Sequence, residues 1–216
     1  MDCDGKPSSM RAQVHDLLHI DPESVNPECP ADRAWVKKAL ASSPWVVVRR
    51  NEAPENQIAV GVRGAIRGDR RGGFVAKGQI RGIVRPEELL LLHRSSRCVP
   101  RTPALTTLRQ MDERWRHISF LWGPAGSVGF ELASGQLSTH ATSDLDLIVR
   151  APTRISRERA RSLWERIHGL AVRVDVRIET PRCGFSLEEY ACVSSSRILL
   201  RYADGLKLGP DPWSEQ

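Results

Sequence analysis

The chain has 216 residues, of which 40% are hydrophobic and 27% charged, with a formal net charge of +6 at pH 7. That length supports one large domain or two small ones, each able to bury a core, and the composition is that of an ordinary globular chain. No run approaches the roughly twenty apolar residues of a membrane span, and Asp2 and Asp4 rule out a signal-peptide pattern, so a cytoplasmic location is expected.

The positive charge favours an anionic partner: a nucleic acid, a polyphosphate or an acidic protein. Cys3, Cys29, Cys98, Cys183 and Cys192 are odd in number and scattered, so neither a disulfide framework nor a zinc site is expected.

Residues 1–9 are polar and aperiodic and are expected to be a disordered tail. An N-terminal α+β domain is expected over 10–98. Within it, His15 and Asp16 sit in a short apolar group with no nucleophile nearby, which predicts a hydrogen-bonded turn rather than a catalytic pair. Trp35, Val36, Ala39 and Leu40 form one stripe of a helix over 30–43, ended by Pro44. Residues 45–48 and 57–62 read as paired strands across a polar turn.

Residues 63–85 are the most basic part of the chain, with Arg63, Arg67, Arg70, Arg71, Lys77, Arg81 and Arg85 interleaved with glycines. Such a segment can wrap phosphates with backbone N–H groups and bidentate guanidinium contacts, or it can be a solvated hairpin; both readings stay open. Residues 86–92 predict a short helix, and residues 95–103, with Pro100 and Pro103, read as the linker.

The second domain, over 99–216, opens with apolar residues at helical spacing from Ala104 to Trp115, followed by a short strand over 118–122. Next comes WGPAGSVGFELASGQLSTHATSDLDLIVR, residues 122–150. Ser156 caps a helix with Ala160, Leu163, Trp164 and Ile167 on one stripe. Residues 171–179 alternate cleanly, with Val172, Val174, Val176 and Ile178 on one face and Arg173, Asp175 and Arg177 on the other. Ser186 and Glu189 predict a capping box, and a strand over 198–202 precedes the Asp204-Gly205 turn and a tail.

Three features of this half carry chemistry together. On a strand, Asp144 and Asp146 point to one face about 6.5–7 Å apart, so both can grip one metal site, while Leu145 and Leu147 fix the register. Gly126 and Ser127 form a turn into a helix expected to start at Ser127, whose free N–H groups can hold a phosphate chain. Asp175 supplies a third acid from a later strand. Mg²⁺ accepts one or two carboxylates plus substrate phosphates, and two ions would clamp the attacking and leaving oxygens of an in-line displacement at phosphorus. Alone, a D-x-D is usually a solvated turn and a strand aspartate a salt-bridge partner. Acids inside apolar strands need a reason, and a metal supplies one.

In this order the constellation resembles the nucleotidyltransferase superfamily of the DNA polymerase beta type. More closely, WGPAGSVGFELASG at 122–135 and SDLDLIVR at 143–150 resemble the phosphoribosyl-dephospho-CoA transferases that act as malonate decarboxylase holo-acyl carrier protein synthases. VDVRIETP at 174–181, HDLL at 15–18, PWVVVRR at 44–50, VGVRG at 60–64 and DPW at 211–213 extend that likeness nearly end to end. Ala125 stands where the family leads one to expect threonine.

The resemblance implies an α+β chain, a nucleotidyltransferase-like mixed sheet with helices preceded by a smaller α+β domain. It implies transfer of the phosphoribosyl-dephospho-CoA group from 2'-(5''-triphosphoribosyl)-3'-dephospho-CoA to a serine of the apo acyl carrier subunit of malonate decarboxylase, with release of diphosphate. Asp144 and Asp146 match the family's catalytic pair and would hold Mg²⁺, as two ions. Asp175 would ligate the second ion or help take the serine proton, and Gly126 and Ser127 would hold the diphosphate end. Two other readings compete: nucleotidyl transfer from an ordinary nucleoside triphosphate, and an idle basic module that binds nucleic acid.

Overall fold

A computed structural model describes residues 11–64, 68–95, 100–193 and 197–213. The expected tail over 1–9 and residues 96–99 of the expected linker lie outside the described residues. The chain divides into two compact units, one of residues up to 49 with 53–84, the other of residues 50–52 with 85 onward.

The first unit holds β1 (Leu17–Ile20), β2 (Val25–Pro27), α1 (Arg33–Ser42), β3 (Trp45–Val48), β4 (Gln57–Arg63), β5 (Arg70–Ala76) and β6 (Ile80–Val84). They form one sheet in the order β2-β5-β4-β3-β1-β6, every neighbouring pair antiparallel. Val36 and Leu40 of α1 bury against Leu18, Ile20, Val46, Val60 and Val75. The His15-Asp16 turn is as expected: the buried Asp16 carboxylate accepts the Gln13 amide at 2.7 Å.

The basic segment contributes to the β4/β5 hairpin and to β6, with Arg70, Lys77 and Arg81 exposed. It forms regular strands, and three of its described arginines, Arg71, Arg81 and Arg85, pair with carboxylates. Arg71 bonds Asp32 and Asp69, both at 3.0 Å, and Arg81 pairs with Asp21 at 2.5 Å. Its glycines permit close approach: a Cβ at Gly72 would overlap the Arg49 and Glu28 side chains, themselves ion-paired at 2.7 Å.

The second unit holds α2 (Pro86–Ser95), α3 (Pro103–Arg114), β7 (Leu121–Pro124), α4 (Gly126–Ser134), β8 (Leu145–Arg150), α5 (Arg157–Glu165), β9 (Val174–Glu179), β10 (Gly184–Ser186), α6 (Leu187–Cys192), β11 (Ile198–Tyr202) and β12 (Gly205–Gly209). Its sheet runs β12-β11-β10-β9-β8-β7, and the β8/β9 pair, joined through α5, is parallel while the other pairs are antiparallel. The chain is thus α+β, with a mixed sheet in the second unit. Among the described residues, no helix is long and apolar enough to cross a membrane.

Alternation divides this sheet's two faces. Leu145, Leu147 and Val149 of β8 and Val176 and Ile178 of β9 are buried in a core with Leu108, Met111, Trp115, Leu163 and Phe185. Each such side chain contributes about 1.5–3 kcal/mol by leaving water, so the register that buries them is firmly set. Asp146, Ile148 and Arg150 of β8, with Asp175, Arg177 and Glu179 of β9, therefore take the opposite face. Ser156 caps α5 by accepting the Arg159 amide at 3.1 Å. Only half of the expected capping box forms at α6: Ser186 accepts the Glu189 amide, but the Glu189 carboxylate accepts the Leu199 amide at 2.8 Å instead.

Candidate active site

The site begins where β7 ends. Ala125 is the extended N-cap of α4 and makes no side-chain cap hydrogen bond, so the amides of the first turn are left to other acceptors. Gly126 opens the helix at φ +56, and a Cβ there would overlap the Asp146 carboxylate. The Ala125 amide donates to the Asp146 carbonyl at 2.9 Å. Turn and acid are thus tied together through the backbone and packed through the missing side chain. Helix α4 starts one residue earlier than the sequence suggested, which puts Gly126 at the contact.

Asp146 and Asp175 are register partners on parallel strands. Neighbouring strands lie about 4.8 Å apart, so the two half-buried carboxylates stand side by side on one face. Asp144 sits one residue ahead of β8, also half-buried, where the Leu145 amide bonds the Arg173 carbonyl at 2.9 Å. The three aspartates do not converge into one cluster: among the described residues, no group of three or more His, Cys, Asp or Glu side chains is arranged to hold a metal ion. The donor set consists instead of adjacent carboxylates beside a helix N-terminus, which is the pattern Mg²⁺ uses when substrate phosphates complete its shell.

Sequence reasoning missed the support of the loop between α4 and β8. The Glu131 carboxylate accepts the Ser138 amide at 2.8 Å, the Thr139 amide at 2.7 Å and the Thr139 hydroxyl at 2.8 Å, and it pairs with Arg101 at 2.8 Å. The Ser138 hydroxyl donates to the Ser127 carbonyl at 3.1 Å, joining the loop to the glycine turn. Burial alone would raise the Glu131 pKa, but the Arg101 guanidinium and the Ser138 and Thr139 donors together hold it below the usual value. No motif marks this glutamate; its partners lie 7 and 8 residues on and 30 residues back.

Comparison with known proteins bears on this arrangement directly. The model of the phosphoribosyl-dephospho-CoA transferase MdcG N-terminal domain matches residues 13–86, and that of the MdcG C-terminal domain matches residues 90–212. The chain belongs to the phosphoribosyl-dephospho-CoA transferase family. Relatives bearing that name include one of Pseudomonas putida (strain W619), 38% identical over 94% of this chain and 95% of its own length. One of Azotobacter vinelandii is 36% identical over the same shares, and one of Klebsiella pneumoniae (strain 342) is 34% identical over 96% and 99%. No solved structure matches the chain significantly. As a phosphoribosyl-dephospho-CoA transferase family member the chain is a transferase, and the glycine turn, Asp144, Asp146 and Asp175 all fall within the matched C-terminal domain.

Proposed function

We propose that this enzyme transfers the phosphoribosyl-dephospho-CoA group from 2'-(5''-triphosphoribosyl)-3'-dephospho-CoA to a serine hydroxyl of the apo acyl carrier subunit of malonate decarboxylase. The bond that forms joins the serine oxygen to the inner phosphorus of the triphosphate. The bond that breaks joins that phosphorus to the bridging oxygen, which leaves with its electron pair as diphosphate, and the serine proton is lost. The observation that carries the reading is the side-by-side register of Asp146 and Asp175 next to the N-terminus of α4, in a chain that both family domains match.

Asp146 and Asp175 would hold Mg²⁺ together with substrate phosphates, with Asp144 as a further carboxylate just ahead of β8; the ion when bound supplies charge neutralisation at the phosphate oxygens. The first-turn amides of α4 at Gly126 and Ser127 orient the diphosphate end. Asp175 is available both as a ligand and as an acceptor for the serine proton. The chain's work is mainly positioning and charge placement rather than covalent participation.

The test is intact-mass analysis of the apo carrier subunit after incubation with the donor, Mg²⁺ and this protein. A mass gain of one phosphoribosyl-dephospho-CoA group supports the reading; incorporation of an ordinary nucleotide, with no such gain, overturns it. Asp144→Asn and Asp146→Asn each remove a carboxylate charge with almost no change of volume, so transfer should fall by about a hundredfold or more at unchanged Tm. Near wild-type rates in either variant would remove the acid pair from the mechanism.

A further inference from the structure

On the acid-bearing face of the second unit's sheet, charges follow one another along β9: Asp175, Arg177, Glu179. The carboxylate of Glu179 is buried and held by Arg50, which also donates to the Arg182 carbonyl at 3.0 Å. On β8 the neighbouring Arg150, register partner of Glu179, is ion-paired with Glu87 at 3.9 Å. Arg177 differs. It is half-buried, paired in register with Ile148 on one side and Ser186 on the other, and among the described residues its side chain has no hydrogen-bond or ion-pair partner. No ion pair forms between Asp175 and Arg177, although they share one strand face. A half-buried guanidinium bonded to no carboxylate, one pleat or about 6.5–7 Å from a carboxylate pair, is available to an anion from outside the chain.

We propose that Arg177 is a phosphate-binding residue that takes the diphosphoryl part of the donor's triphosphate, the part that departs as diphosphate. The inference rests on the triphosphate reading above but names a residue which that reading leaves unused. Its placement suits the task. Asp146 and Asp175 lie one pleat before it on the same face, with the α4 N-terminus against Asp146. A guanidinium offers a planar fork that two oxygens of one phosphate can accept bidentately. As the bond to the bridging oxygen breaks, negative charge grows on the diphosphate, and a fixed cation beside it stabilises the transition state more than the bound donor. Arg173, two residues before Asp175, lies ahead of the strand and is exposed, so it is less constrained to aim at that charge.

Direct binding of inorganic diphosphate with Mg²⁺, measured by titration calorimetry on the full chain, tests this without any acceptor. Arg177→Met should weaken diphosphate binding about tenfold or more, because a charge-assisted contact is lost, while Arg177→Lys should recover part of it. In turnover, Arg177→Met should raise the KM for the donor and lower kcat while leaving the KM for the carrier unchanged. Diphosphate affinity within twofold of wild type in Arg177→Met, at unchanged Tm, overturns the proposal, as does a wild-type chain that does not bind diphosphate. The two readings separate cleanly. A chain that loses diphosphate binding on Arg177→Met yet never loads the carrier keeps the phosphate site and discards the carrier-modifying function.

Discussion

Gly126 carries two constraints that no other residue type satisfies together. Its φ of +56 lies in the left-handed region, which costs an L-residue about 1–2 kcal/mol. The space where a Cβ would sit is filled by the Asp146 carboxylate. Gly126→Ala should therefore do more than loosen a turn: it should push Asp146 away from its place beside Asp175. The expected outcome is a Tm lowered by a few degrees together with loss of most transfer activity, read by thermal melting and the carrier mass assay on the same preparation. A variant as active as wild type would show that Asp146 tolerates displacement. At this scale the sequence was informative about chemistry and silent about contact. A Gly-Ser pair and a D-x-D can be recognised as phosphate and metal chemistry, but nothing in their spacing says that this glycine exists to admit that aspartate.

Between residue and fold lies the loop from α4 to β8, which delivers Asp144 to the sheet and has no regular structure of its own over residues 135–144. Its order comes from Glu131. Because the folded-state pKa of Glu131 is lowered, its contribution is present above the ordinary carboxyl value of 4.5 and is lost as pH falls through the lowered folded value. Glu131→Gln keeps an acceptor for the loop amides but loses the charge that Arg101 pairs with. It should lower Tm near neutral pH, and the gap from wild type should close as pH drops below 4.5, measured by melts across an acid series. A gap that stays constant through that range would mean the carboxylate charge is not what ties the loop. Elements of this kind were poorly legible beforehand. The three-residue β10 is too short to show alternation, and β12 exposes Leu206 and Leu208, so it offered no burial pattern and read as a tail. The longer apolar patterns at β8, β9, α3 and α5 were legible because burial enforces their period.

At the scale of the whole molecule, the described residues form two cores with no residue in common. One gathers Leu18, Leu40, Val60 and Val75; the other gathers Leu108, Met111, Leu145, Leu163 and Phe185. Two α+β parts were foreseeable from composition, but the prolines near residue 100 drew the expected boundary to 98/99, whereas contacts divide the chain between Val84 and Arg85. The reason is α2: Leu90 belongs to the second core, and Pro86 lies where a Cβ on Gly123 of β7 would be. Proline content marks where chain meets solvent, not which core an adjoining helix packs on. Separate cores make a separable stability prediction. Leu40→Ala should cost about 2–5 kcal/mol by lost burial and the cavity left behind, and Leu108→Ala a similar amount. Hydrogen exchange read peptide by peptide should show the first substitution lowering protection chiefly over β1, α1, β3, β4 and β5, and the second chiefly over α3, β8 and β9. Equal loss of protection across both sets in either variant would show that the chain unfolds as one cooperative unit despite its two cores.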